Sequence, residues 1–188
     1  MFCIETKDEN KFIELLEKQE ELNNKFTPGW KDKVPLEKFK IAFITEFAEF
    51  LESTPKFYNH KFWKPYLEDD IQNSKVEIID MLHFALSMII LYRKGKFKFV
   101  YAIKPEESKS LKDVLKRYCD FLKKPDYSNL VEFLAPLCDY HNMSFEDLYC
   151  GYFLKHDLNV KRVESGYTKG QYQKVDENGV EDNRCLKV

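Results

Sequence analysis

Glycine and proline are scarce in this chain, with 6 and 7 in 188 residues. So few turn formers exclude an all-β protein of many short strands and favour helices. No Cys-x-x-Cys spacing occurs, and the five cysteines (Cys3, Cys119, Cys138, Cys150 and Cys185) are odd in number. A disulfide framework or a zinc site is therefore not expected, and reduced thiols fit better. A charge excess of either sign is missing too. The formal net charge is −2, which points neither to nucleic acid nor to an anionic membrane. No apolar run is long enough to cross a bilayer. The most apolar stretch, Val76 to Leu91, is too short and holds Glu, Asp and His. The first residues lack the basic-then-apolar order of a secretory signal. These absences predict a soluble, cytoplasmic protein with no nucleic-acid or membrane partner.

What is present is a chain 44% hydrophobic, enough for a packed core. No low-complexity linker divides it, so residues 1–188 are expected to form a single domain. Helical spacing runs from about residue 8 to 25 and stops at Thr27-Pro28-Gly29. Trp30 to Pro35 reads as a loop. A helix from Leu36 to Glu52 ends at Ser53-Thr54-Pro55. The segment Lys56 to Lys64 is aromatic and basic together, and a polar loop follows to Ser74. A second long helix spans Lys75 to Arg93. The alternation from Lys96 to Ile103 would allow a short strand but reads better as a loop or short extension. Further helices fit Ser110–Lys123 and Tyr127–His141. A last helix opens at Ser144, with Asp147 completing a capping box, and reaches about Val163. From Glu164 onward the chain is a polar tail holding Gly166, Gly170 and Gly179.

Two of these helices carry carboxylates among apolar neighbours. Glu46 and Glu49 lie among Phe43, Ile44, Phe47, Ala48, Phe50 and Leu51. Glu77 and Asp80 lie among Val76, Ile78, Ile79, Met81 and Leu82. Three residues turn a helix by ~300°, so each pair occupies one face. An acidic pair on a solvated helix face is ordinary, but such a face would carry more Lys and Gln. A carboxylate in apolar surroundings must be neutralised or compensated. Two such helices side by side would bring four carboxylates to a shared cation. With oxygen donors only, the set selects Mg²⁺ or Mn²⁺ over zinc. Such ions keep open positions suited to phosphate groups. A di-iron centre would need a Glu-x-x-His pair on each of two helices. Here Glu77 is followed by Asp80, with His83 three further on.

The arrangement resembles the dimeric, all-α dUTPases, members of the wider all-α NTP pyrophosphatase group that includes MazG-like proteins. The wider group shares Glu46-x-x-Glu49 with Glu77-x-x-Asp80. The narrower resemblance rests on Gln19-x-x-x-Asn23, Lys61-x-Trp63-Lys64 and Glu77-x-x-Asp80-x-x-His83-Phe84. It continues through Tyr152-x-x-Lys155-x-x-x-Asn159-x-x-Arg162, Gly166-Tyr167-x-x-Gly170-x-Tyr172-x-Lys174 and Glu181-Asp182-Asn183. Gln19 to Asn183 is nearly the whole chain. His60 stands where the family usually has an aromatic residue, and the loop between Glu52 and Lys61 is longer than usual.

The resemblance implies an all-α helical bundle with a polar C-terminal tail. It also implies a homodimer and a Mg²⁺-dependent hydrolysis of dUTP and dUDP to dUMP. Glu46, Glu49, Glu77 and Asp80 would hold two or three ions, and Glu49 would also orient or deprotonate the attacking water. Gln19, Asn23, Trp63, His83 and Asn159 would meet the base and sugar. Lys155, Arg162, Tyr167, Lys169 and Lys174 would meet the phosphates. Side-chain amides suit a uracil edge because they both donate and accept. A dCTP-directed or broader MazG-like pyrophosphatase would share the metal site and differ in the base pocket. A nucleotide-binding regulator without turnover is the alternative outside enzymes. Leu130, Phe133, Leu134 and Leu137 are apolar beyond the needs of a small core, which suggests a dimer interface on those later helices.

Overall fold

The computed structural model describes residues 2–64, 66–93, 105, 107–175 and 180–186, with the side chains of residues 184 and 185 excepted. Seven α-helices carry the described fold: α1 (Glu9–Phe26), α2 (Trp30–Lys33), α3 (Leu36–Ser53), α4 (Ile71–Arg93), α5 (Leu111–Lys123), α6 (Tyr127–Tyr140) and α7 (Phe145–Glu164). No strand occurs among the described residues, which agrees with the all-α expectation; Val175 and Glu181 form one isolated bridge. The alternating stretch Lys96–Ile103 lies outside the described residues. Among those described, no helix is long and apolar enough to cross a membrane.

The helix boundaries follow local chemistry. Ser110, Asp126 and Ser144 cap α5, α6 and α7, each accepting from a backbone N–H three residues on. At α7 the box is completed by Asp147, as its spacing predicts. Gly29, at φ +71°, supplies the left-handed residue that lets the chain leave α1 and start α2. Trp30 to Lys33, expected as loop, is thus a helical turn with Trp30 buried. The start of α4 lies earlier than expected, at Ile71 rather than Lys75. Asp70 accepts from the backbone N–H of Asn73 through its side chain and of Ser74 through its carbonyl, nucleating that turn.

Helix α4 is the axis of the molecule. It packs against α1, α3, α6 and α7, and no residue from Ser74 to Leu91 is exposed. A helix apolar all round has no other stable place. Its strongest pairing is with α3. Phe43, Phe47 and Phe50 form the buried stripe of α3, while Ile41, Ile44 and Ala48 face outward. Phe43 and Phe47 meet Tyr118 of α5 and Phe133 of α6 in an aromatic cluster with centroids 4.7–5.9 Å apart. Leu130, Phe133, Leu134 and Leu137 are core residues, each at most 2% exposed. The expectation that they form an exposed dimer face is therefore corrected: α5 and the rest of the bundle already cover them.

Candidate active site

The α3–α4 pairing brings the acidic helices side by side. Glu46, Glu77 and Asp80 each place a carboxylate oxygen within 4.8 Å of the other two. Glu49, one turn along α3, lines the same cavity but is exposed and stands apart from that trio. Charge and burial work against ionisation here. Burial, then the charges of Asp80 and Glu49, push Glu46 up to about 7. Burial, then Asp80, Glu46 and Glu49, push Glu77 up to about 8. Glu46 and Glu77 also share a hydrogen bond. Burial raises Asp80 as well, against the pull of Lys155. Three crowded carboxylates with oxygen donors only fit a hard divalent cation, which would add to the single counter-charge that Lys155 supplies at Asp80.

Further side chains hold this cluster. Asn73 donates to Glu77 at 2.8 Å and to the Ser53 hydroxyl at 2.8 Å, tying the ends of α3 and α4 together. The Lys155 ammonium, buried on α7, pairs with Asp80 at 2.6 Å and reaches the Asn183 side-chain oxygen at 2.9 Å. Arg162, two turns along α7, is 5% exposed. It forms a two-pronged pair with Asp182 and donates to Asn183 at 2.7 Å and to Asn159 at 3.1 Å. The Tyr172 hydroxyl donates to Asp182 at 2.6 Å. Residues 181–183 are thereby drawn back onto the helices.

These groups surround a cavity of about 510 Å³. Its wall carries the carboxylates of Glu46, Glu49, Glu77, Asp80 and Glu181 and the cations Lys155, Arg162 and Lys174. It also includes Leu22, Phe26, Trp30, Val34, Phe39 and Phe84, the amides of Gln19, Asn23, Asn159 and Asn183, the hydroxyl residues Thr27 and Tyr167, and the ring of His83. His83 stacks on Tyr152 at 4.2 Å and contacts the Gln19 side-chain oxygen through Nδ1 at 2.7 Å. Burial holds its pKa well below the usual histidine range, so the ring is neutral near pH 7. A larger concavity, about 820 Å³, opens beside Tyr58, Tyr140 and Asn142 and has no cation on its described wall.

The structure thus brings Gln19, Asn23, Glu46, Glu49, Glu77, Asp80, His83, Lys155, Asn159, Arg162, Tyr167 and Lys174 to one cavity. Two expected residues are not brought there. Trp63 is 60% exposed, edge-on to Phe62, and Lys169 is exposed on the tail. Others escaped the sequence reading. Trp30 falls in a segment that reads as a loop, and Asn73 in the polar stretch before α4. Its position four residues before Glu77 was the signal for Asn73. Ser87, a lone hydroxyl four residues after His83 in an apolar run, carried a similar signal.

Among protein families, the model described as dUTPase matches residues 11–167. Among curated proteins, none matches the chain.

Proposed function

Because this chain belongs to the dUTPase family and is a dUTP diphosphatase, we propose that the cavity between α3, α4 and α7 is where dUTP is hydrolysed. The observation that carries this reading is the joint placement of a carboxylate trio, buried cations and side-chain amides around one cavity. Mg²⁺, with Mn²⁺ as a substitute, would be held by Glu46, Glu77 and Asp80, with Glu49 adding a ligand for a second or third ion. When bound, such ions neutralise phosphate charge and lower the pKa of a water.

The chain's own groups have distinct tasks. Glu49, the most open carboxylate of the four, orients the attacking water and takes its proton. Lys155 and Arg162 hold phosphate oxygens, with Lys174 and Tyr167 closing over them. At rest Lys155 gives one donor to Asp80 and one to Asn183, which leaves one for a phosphate oxygen, and Arg162 gives two of its five to Asp182 and one each to Asn159 and Asn183, which again leaves one. Asn23 meets the uracil edge, with Gln19 behind it. His83, neutral and stacked on Tyr152, abuts the sugar beside Asn159. dUDP fits the same groups with one phosphate fewer, and dUMP is the product of both.

The protein is proposed to be a cytoplasmic homodimer. The dimer reading is supported by apolar side chains that a monomer leaves in water: Ile41 and Ile44 on α3, and Phe62, Trp63 and Tyr66 in the following segment. A nucleotide panel with Mg²⁺ tests the assignment. Pyrophosphate release is expected from dUTP, lost on chelation and much weaker with dCTP. Release from dCTP or dATP but not dUTP would overturn the uracil reading. Binding of dUTP without turnover at saturating Mg²⁺ would instead favour a regulator.

A further inference from the structure

A closed hydrogen-bond circuit backs the cavity wall at Gln19 and Asn23. Ser87, fully buried on α4, donates its one hydroxyl proton to the carbonyl of His83 at 3.0 Å. Only lone pairs remain on that oxygen. Whatever faces it must donate, and both amide groups from α1 do so. The Gln19 side-chain nitrogen lies at 3.1 Å and that of Asn23 at 2.9 Å. The far end of Gln19 is held in the same sense. Its oxygen accepts from the Tyr152 hydroxyl at 3.1 Å and faces His83 Nδ1 at 2.7 Å. The other N–H of Gln19 donates to the Asn23 oxygen at 3.0 Å.

Counting donors and acceptors gives each amide its role. With the His83 ring proton on Nδ1, which the acceptor oxygen opposite it requires, Gln19 is saturated: two N–H groups are given and two lone pairs are filled. It has nothing left for a ligand without breaking the circuit, so it supports rather than reads. Asn23 is half used. Its nitrogen has given one N–H to Ser87 and its oxygen has accepted one from Gln19. Exactly one donor and one acceptor remain, at a residue on the cavity wall.

We propose that Ser87 and Tyr152 are specificity-determining positioning residues, which fix the orientation of the Asn23 amide and so make the site read uracil rather than cytosine. This rests on the reading that Asn23 meets the base. Uracil offers a donor at N3 flanked by two carbonyl acceptors. Cytosine offers an acceptor at N3 flanked by an amino donor. An amide with its oxygen toward N3 and its nitrogen toward a carbonyl pairs with uracil. In the same pose it sets acceptor against acceptor and donor against donor with cytosine. Turning the amide over exchanges the two outcomes. In this circuit the turned amide would put its oxygen against the Ser87 lone pairs and its nitrogen against the Gln19 nitrogen. The Ser87 proton given to the His83 carbonyl and the Tyr152 anchor on Gln19 together determine which pyrimidine is accepted.

The test compares kcat/KM for dUTP and dCTP in the wild type and in Ser87→Ala, Tyr152→Phe and Asn23→Ala. Ser87→Ala removes the oxygen that demands a donor and leaves Gln19 as the one remaining contact that fixes the Asn23 amide. The dUTP-over-dCTP preference is expected to fall by at least about ten-fold, with the change in KM rather than kcat. Tyr152→Phe keeps the ring stacked on His83 and removes one anchor of Gln19, so the preference falls in the same direction. It also tests the circuit if Ser87→Ala does not fold. A merely structural role would lower both substrates alike. An equal loss on both, or an unchanged ratio in folded variants, overturns the proposal. Asn23→Ala separates the two levels. If it retains wild-type kcat/KM for dUTP, the base-contact reading itself fails. If it loses dUTP turnover while Ser87→Ala and Tyr152→Phe leave the ratio intact, only the orientation mechanism fails.

Discussion

Without a divalent ion, the protein should lose stability as pH rises from 6.5 to 9, and saturating Mg²⁺ should abolish most of that loss. The cause is the crowding of Glu46 and Glu77. Their carboxyls titrate near 7 and 8 in the folded protein, against 4.5 in a free chain. In this window the folded state holds protons that the unfolded chain has released, so raising the pH favours unfolding. The window starts at 6.5 because buried histidines act with the opposite sign below it. Burial holds His141 down to about 4, so acid favours the unfolded chain there. At about 1.36 kcal/mol per pH unit, the two carboxyls accumulate an upper bound of roughly 3 kcal/mol between pH 6.5 and 9. They share a hydrogen bond and water reaches Glu46, which brings the working figure to about 2 kcal/mol. For a chain of this size that is a fall in Tm of about 4–8 °C. Thermal unfolding followed by circular dichroism, with chelator and with Mg²⁺, reads it directly. Glu77→Gln serves as the control and should flatten the chelated profile. A chelated Tm that is level or rising across the window would refute the reasoning, as would an equal Mg²⁺ effect at pH 6.5 and pH 9.

Glu49→Gln should lower kcat by about 10²–10³-fold without lowering Tm, since it removes a charge that repels Glu46 and Glu77, measured by pyrophosphate release and thermal unfolding. Asn73→Ala removes the hydrogen bond that orients Glu77 and should weaken the activating Mg²⁺ by about ten-fold, seen as a shifted metal dependence of kcat. Phe133→Ala opens a cavity in the aromatic cluster of α3, α5 and α6 and should cost about 3–5 kcal/mol in denaturant titrations. Ser144→Ala removes the α7 cap and its box, with an expected cost of about 1 kcal/mol by the same measurement.

The helices were legible because their signals are local. Capping residues and apolar spacing locate α5, α6 and α7 within a residue or two. Where tertiary contact sets the boundary, spacing misleads. The early start of α4 depends on Asp70 capping a turn whose sequence is polar, and α2 depends on burying Trp30. The acidic trio was legible because carboxylates among phenylalanines and isoleucines conflict with their surroundings. The burial of α6 was not, since nothing in Leu130 or Phe133 says whether the cover is α5 or a second chain. Nor could spacing reveal that Lys155 and Arg162 each face a carboxylate at rest. Those partners are Asp80, on α4, and Asp182, twenty residues further along the chain. Gln19 and Asn23, which the family motifs single out, both line the cavity. Their division of labour required Ser87, which belongs to none of the motifs quoted.

The burial of α4 on every side has a consequence for how this protein tolerates change. Along α3, a saturation-mutagenesis map should oscillate with the helical period: Phe43, Phe47 and Phe50 intolerant, Ile41, Thr45 and Ala48 permissive within one chain. From Ser74 to Leu91 there is no solvent side to give such relief. Core and site are drawn from the same helix, so a residue freed from one duty still borders the other. Its map should be a continuous band without periodicity. Adaptation of this enzyme to new substrates is therefore expected to proceed through α1, α7 and the tail, with α4 as the part that cannot drift.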